Sequence, residues 1–418
     1  MNHLIKYTWK NNLLTRYGLR TTDGEDVYIV AAGREEDNTF QNARVKIGDK
    51  EWIGNVIIDD GKNHNNLQAT DNTILYVTDK EDKQLFDNKI PRLCIKLPEQ
   101  LIQEYNEASM GRTLLPCTES VANTNKILLH SHLSRLLIER IEDKAKHIED
   151  LYSQCNMRWN DTLFVLLSRN FGFGIKSEIF EEWAGMLDMN ALGKHRDNQL
   201  QVEAIFFGQA GLLNTEQIPS YYRNEALNSK YYNDIVKEYS FLKNKFDLKS
   251  MESKKWAFGN STPHLRIARL AKIYCSGHCD ISKIADCNSI EEIRNLFQIQ
   301  PDGYWRNHLQ FGGTETSGTT PLRNAQTDLI IINTVVPILY SYGKHRKEKE
   351  LCNKAEDLLH SLRPEENSII RRWRERGIVI DCAADSQALI QLNRSYCNRY
   401  RCNDCCFGYT YIKEQLLK

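Results

Sequence analysis

Apolar and polar residues alternate along the first quarter of the chain. Ala43, Val45 and Ile47 are separated by Arg44 and Lys46, the period of two that marks a half-buried strand. Extended segments are predicted near 26–32, 40–47, 51–59, 72–78 and 91–97. Gly48-Asp49-Lys50 turns the second of these back into Trp52-Ile-Gly-Asn-Val-Ile-Ile as a hairpin. Ahead of them, Leu4, Ile5, Trp9 and Leu13 recur at helical spacing and predict a short leading helix.

After a connector over 116–125 the period changes. Leu129, Leu133, Leu136, Leu137, Ile141 and Ile148 form one stripe of a long helix over 125–153. Further helices are predicted at 160–170, 176–188, 194–212, 229–245, 263–276, 323–342, 347–361, 365–376 and 384–395, with a flexible loop from Gly312 to Pro321. The pattern predicts an α+β protein: a small N-terminal mixed sheet domain (1–115), a large all-helical domain (125–380), and a C-terminal Cys cluster in a tail (381–418) packed on the helical domain.

Composition adds little beyond class. Of 418 residues, 41% are hydrophobic and 26% charged, the proportions of an ordinary globular protein, and 55 basic residues balance 55 acidic ones. Net charge therefore gives no reason to expect a polyanionic partner, and nucleic-acid binding has to rest on a local patch. The N-terminus lacks a signal-peptide core. The apolar run Leu329–Tyr340 is interrupted by Asn333, Thr334 and Pro337 and is too short to span a bilayer. A cytoplasmic protein with no membrane association is expected, its twelve cysteines serving as thiols or metal ligands.

The chemistry is concentrated near the C-terminus. Cys397, Cys402 and Cys405 stand at Cys-x4-Cys-x2-Cys spacing, with Cys406 adjacent. Short loops of this kind fold sulfurs toward one point, suiting Zn²⁺ or, alternatively, an iron–sulfur cluster. Cys382 is the favoured fourth ligand, because adjacent cysteines such as Cys405 and Cys406 diverge. Arg371, Arg372, Arg374 and Arg376 flank Trp373, and Arg394, Arg399 and Arg401 interleave with Tyr396 and Tyr400. Arginine among aromatics suits phosphate contact and base stacking; the same pattern is that of a solvated helix face neutralised by Glu365, Glu366 and Glu375. A second polar set, His195, Gln199 and Glu203, recurs at four-residue spacing and offers an acid–base pair, or simply a solvated face. Tyr304, Trp305 and His308 offer a stacking surface or core, and Cys275, Cys279, Cys287 and His278 read as buried.

Several stretches together resemble the domain of unknown function 2851 family, best known from Bacteroidetes. They are Thr22-Asp23-Gly24 with Gly33, Ala43 through Val56, Asn170-Phe-Gly-Phe-Gly174, Lys194-His195 with Asp197, and Glu203 through Leu213. Near the end they are Ile332-Asn-Thr-Val-Val-Pro337, Asp385 through Leu392, and the Cys397–Cys405 motif. The resemblance carries no activity. It does imply an N-terminal layout similar to the PD-(D/E)xK nuclease core, in which carboxylates on adjacent strands hold Mg²⁺ beside a scissile phosphate. At the matching positions this chain has Tyr28, Asn38-Thr39, Ile57 and Asp59, so the carboxylates are lost; Asp37, Asp59 and Asp60 are the nearby acids.

The reading that results is a catalytically degenerate, nuclease-like protein that binds DNA or RNA through Arg372, Arg374, Arg394, Arg399 and Arg401, with a structural metal on Cys382, Cys397, Cys402 and Cys405. The alternatives are an enzyme using His195 and Glu203, and a non-catalytic assembly protein with a protein partner or an active paralogue.

Overall fold

The computed structural model describes residues 2–14, 18–59, 72–79, 90–117, 120–121, 124–174, 176–256, 263–314 and 317–417. The chain divides into two compact units. The first is Met1–Leu136 with Glu366–Val379 and Ala388–Lys418; the second is Leu137–Glu365 with Ile380–Gln387.

The first unit is built on a mixed sheet. Its strands are β1 (Val27–Ala31), β2 (Arg34–Glu36), β3 (Thr39–Ile47), β4 (Lys50–Ile58), β5 (Thr73–Thr78) and β6 (Arg92–Cys94). The order is β1-β3-β4-β5-β6, with β2 on β3. β3 is antiparallel to β1, β2 and β4, whereas β4, β5 and β6 are parallel, so β3 alone opposes the other five. The expected hairpin is present: Ile47 pairs with Lys50 across the turn, where Gly48 has φ +56°.

Alternation in β3 buries Phe40, Ala43, Val45 and Ile47. They meet Val56, Ile58, Leu75 and Val77 together with Ile5 and Trp9 of the leading helix α1 (Asn2–Lys10). Trp9 donates its indole N–H to the Ala32 carbonyl at 3.1 Å, satisfying the one polar atom that burial would otherwise strand. Each fully buried large apolar side chain here contributes roughly 1.5–3 kcal/mol.

A second core corrects two expectations. Glu99–Ser109 is a helix, α2, inside the stretch read as strand-rich, and buries Leu101, Tyr105 and Ala108 at helical spacing. These residues cluster with Leu4, Leu13 and Leu115, and with Cys402, Tyr411, Ile412 and Leu416 of the C-terminal segment. The cysteine tail is therefore part of the N-terminal unit rather than a tail on the helical one. The physical reason is the final helix, Cys406–Leu416, whose apolar face the sequence reading left unassigned.

The second unit is helical, around Phe164, Phe180, Trp183, Phe206 and Phe207. The helix expected over 194–212 is shorter, Gln199–Gln209, and a separate short helix, Met189–Gly193, precedes it; each is started by an N-cap side chain: Asp188 accepts from Asn190 and Ala191, and Asn198 from Gln201. Ser220–Asn228, Ile281–Asp286 and Ile290–Phe297 are additional short helices. The helices expected at 323–342 and 384–395 each contain a π-turn, at Ile331–Val335 and, belonging to the first unit, at Leu392–Tyr396. Among the described residues no helix is long and apolar enough to cross a membrane.

Candidate functional site

Within the first unit, one cavity of about 310 Å³ collects most of the chemistry. Its wall includes Cys117, Cys397, Cys402 and Cys405, together with Arg372, Trp373, Arg376, Asn393, Tyr396 and Asn398. Three local devices present the thiols. The π-turn Leu392–Tyr396 supplies Leu392, Asn393 and Tyr396 to the wall, and such turns recur at functional sites. Two short 3₁₀ turns then follow, Cys397–Arg399 and Cys402–Asp404, joined through Tyr400 at φ +52°. Finally Cys405 occupies the N-cap of Cys406–Leu416. Gly408 lets that helix close down: a β-carbon there would lie 2.1 Å from the Cys402 carbonyl oxygen.

The thiols are strongly differentiated. Burial, reinforced by the neighbouring Cys405, Cys397 and Cys402, pushes Cys117 up to about 12. Burial and the same kind of repulsion push Cys397 up to about 12, against the guanidinium of Arg376. Cys405 is drawn down to about 7, chiefly because the Cys406 thiol donates to its sulfur, helped by the Gly408 and Phe407 amides and Arg135. Burial raises Cys402 above its ordinary value, although the Leu115 amide works against it. Amide N–H groups and arginines aimed at sulfur stabilise thiolates.

Cys382 does not join this group. It belongs to the second unit, where its sulfur lies 3.4 Å from Asp385 Oδ2 and 3.9 Å from His360 Nδ1. Cys117, which the sequence reading passed over as part of a connector, borders the cavity instead. Only its being a cysteine marked it in the sequence, since 279 residues of intervening chain hide the proximity. Of the other cysteines, Cys279 and Cys287 are buried, Cys275 is half-buried rather than buried as expected, and His278 bonds the Leu296 carbonyl at 2.8 Å.

The arginines divide. Arg372 and Arg376 border the cavity, and Arg376 lies over the Trp373 ring at 5.7 Å. Arg401 lies over Tyr396 at 5.5 Å but also pairs with Asp404 at 2.9 Å, and Arg374 pairs with Glu366 at 2.6 Å. Arg394 and Arg399 are exposed.

On the sheet, Tyr28 is 57% exposed, and Thr39 pairs with the buried Ile57. Asp59 is buried just past β4, its amide donating to the Val77 carbonyl at 2.9 Å. Asp37 sits in the turn before β3 at φ +50°. Asp60 lies outside the described residues.

The second unit holds two polar constellations. Glu203 is 3% exposed and accepts hydrogen bonds from Tyr231 (2.5 Å) and Gln199 (2.8 Å). Tyr231 in turn accepts from the Trp305 indole at 2.8 Å, while Gln199 reaches Asp302 and Lys272. Burial pushes Glu203 up to about 7 despite those bonds. Tyr304 stacks between Tyr231 and His308, at 4.5 and 3.7 Å, linking the expected aromatic set to Glu203. His195 is not Glu203's partner: it precedes the N-cap of that helix and bonds Gln201 at 2.6 Å. Its Nε2 is buried without a partner.

The other constellation surrounds the π-turn Ile331–Val335. The Lys144 ammonium donates to Asn333 Oδ1 (2.9 Å) and Gln387 Oε1 (2.8 Å), and both amide groups donate onward to Glu365 Oε1 at 2.9 Å. Asn170 donates to the Asn333 carbonyl and to Thr334 Oγ1, each at 2.9 Å. Three of the sequence words that carried the family resemblance, at 170–174, 332–337 and 385–392, thus meet here.

The chain belongs to the DUF2851 family: the family model, described as a protein of unknown function, matches residues 2–368. Cys117 and both second-unit constellations up to Glu365 fall inside the match, and Cys397–Cys405 fall beyond it. No curated protein and no solved structure matches the chain.

Proposed function

We propose that this protein is a nuclease-like nucleic-acid-binding protein of the cytoplasm that no longer cuts, and that phosphates are met at the arginine–aromatic surface beside the cysteine cavity. The observation that carries the reading is the grouping of Arg372 and Arg376 with Trp373 and Tyr396 around one cavity. A guanidinium held over an indole presents its remaining N–H edge to phosphate, and the flanking rings offer faces to unstacked bases. Arg374 and Arg401, already paired with carboxylates, contribute less. The sheet serves as scaffold. Metal-dependent cutting needs several hard oxygen ligands on adjacent strands, and Tyr28, Thr39 and Ile57 carry no carboxylate there.

The test is fluorescence anisotropy with single- and double-stranded DNA and RNA across a salt series. The chain should bind at low salt, and Arg372→Glu with Arg376→Glu should weaken binding by about tenfold or more and flatten the log–log salt slope by roughly two. Absence of binding at low salt, or affinity unmoved by the double reversal, would refute the reading.

The buried, elevated Glu203 favours a second reading, an enzyme of the second unit in which this carboxyl moves a proton. Tyr231 and Gln199 would position it.

A further inference from the structure

We infer that Cys117, Cys397, Cys402 and Cys405 are the four thiolate ligands of an iron–sulfur cluster seated in the cavity they share. The inference goes beyond nucleic-acid binding and does not depend on it.

Four cysteines border one cavity although Cys117 is far from the others in the chain. Among the described residues, no three His, Cys, Asp or Glu side chains stand close enough together to seat a single ion. A lone zinc draws its sulfurs onto one point at about 2.3 Å, whereas a cluster is a polyatomic body that fills the space between four thiolates. A cavity of about 310 Å³ bordered by the four cysteines fits the second arrangement.

The surroundings suit a negatively charged centre. Arg372 and Arg376 border the same space, and Arg135 acts on Cys405. Cys405 stands at the N-cap of Cys406–Leu416, where the positive end of the helix favours a thiolate. Cys406 does not border the cavity, and Cys382 lies beside Asp385 in the other unit.

The experiment uses the full chain purified anaerobically, and reconstituted with iron and sulfide if it emerges colourless. Iron and acid-labile sulfide in matching amounts, with broad visible absorption, are expected in the parent and in Cys382→Ser, and should be lost in Cys117→Ser. Because Cys117→Ser could fail to fold, the parent protein is also alkylated natively before and after oxidative removal of the cluster, and each thiol is read by mass spectrometry. Cys117 should become reactive together with Cys397, Cys402 and Cys405, with Cys382 unchanged. Iron retained in a folded Cys117→Ser, or Cys117 reactivity indifferent to cluster removal, would overturn the ligand set. Zinc in place of iron, or no metal after reconstitution, would overturn the cluster. Nucleic-acid affinity enters neither readout, so failure here and failure of the binding reading are separable.

Discussion

Glu203 shows what a single buried carboxyl costs and what it offers. Its folded value of about 7 stands above its ordinary 4.5, so below pH 4.5 it is protonated folded and unfolded alike, and burial carries no ionic penalty. As pH rises from 4.5 to about 7, the unfolded chain gives up the proton while the folded chain keeps it, and stability falls; above 7 the loss is complete and constant. The span corresponds to about 3 kcal/mol. Glu203→Gln keeps one acceptor oxygen, for Tyr231 or for Gln199 but not both, and cannot ionise. The parent should therefore lose stability relative to this variant between pH 4.5 and 7, read as urea midpoints across pH. Parallel profiles would mean that Glu203 ionises freely, and would remove the physical basis for assigning it acid–base chemistry.

At the scale of elements, the π-turn at Ile331–Val335 does for the second unit what capping does for simpler helices: it re-aims backbone and side chains without ending the helix. Asn333 and Gln387 then act as amide relays, each taking a hydrogen bond from Lys144 and giving one to Glu365. Lys144→Met removes the donor of Asn333 Oδ1 and leaves Gln387 Oε1 with Arg140 alone, at 3.3 Å, and should cost about 1.5–3 kcal/mol. Glu365→Leu added to it should cost less than its own single change, as a double-mutant cycle would register; strict additivity would mean that the relay carries no energy.

Much of this scaffold was legible in the sequence. The period of two in β3 and the apolar stripe of Lys126–Gln154 are local signals, and both elements lie where the pattern puts them. The π-turns were not legible, because a one-residue widening leaves the apolar period almost unchanged. Nor was Cys117: spacing rules act over a few residues, and the fourth wall of the cysteine cavity comes from a distant stretch. The three cysteines at 397, 402 and 405 were legible as a group, since their separations are short enough for turns to converge them.

For the molecule as a whole, the relevant fact is that its first unit is made from three separated lengths of chain. Ile412 is fully buried with Leu4, Leu101, Tyr105 and Leu115. Ile412→Ala should cost about 2–5 kcal/mol, and hydrogen exchange should rise in Glu99–Ser109 at the opposite end of the sequence. A rise confined to helices of the second unit, such as Lys349–Ser361, would contradict the assignment of the final helix to the first.

That arrangement also sets an order of assembly on the ribosome. The sheet strands leave the exit tunnel early, but the side chains that cover α1 and α2 are translated only after the whole helical unit. The unit encoded later can finish folding first, and the early one must wait with Leu4, Leu101 and Tyr105 uncovered. Domains usually mature in the order of synthesis; here the amino-terminal unit is completed only after the helical unit has been made, and a nascent chain stalled before Cys406 would hold a sheet whose second core is still open to solvent.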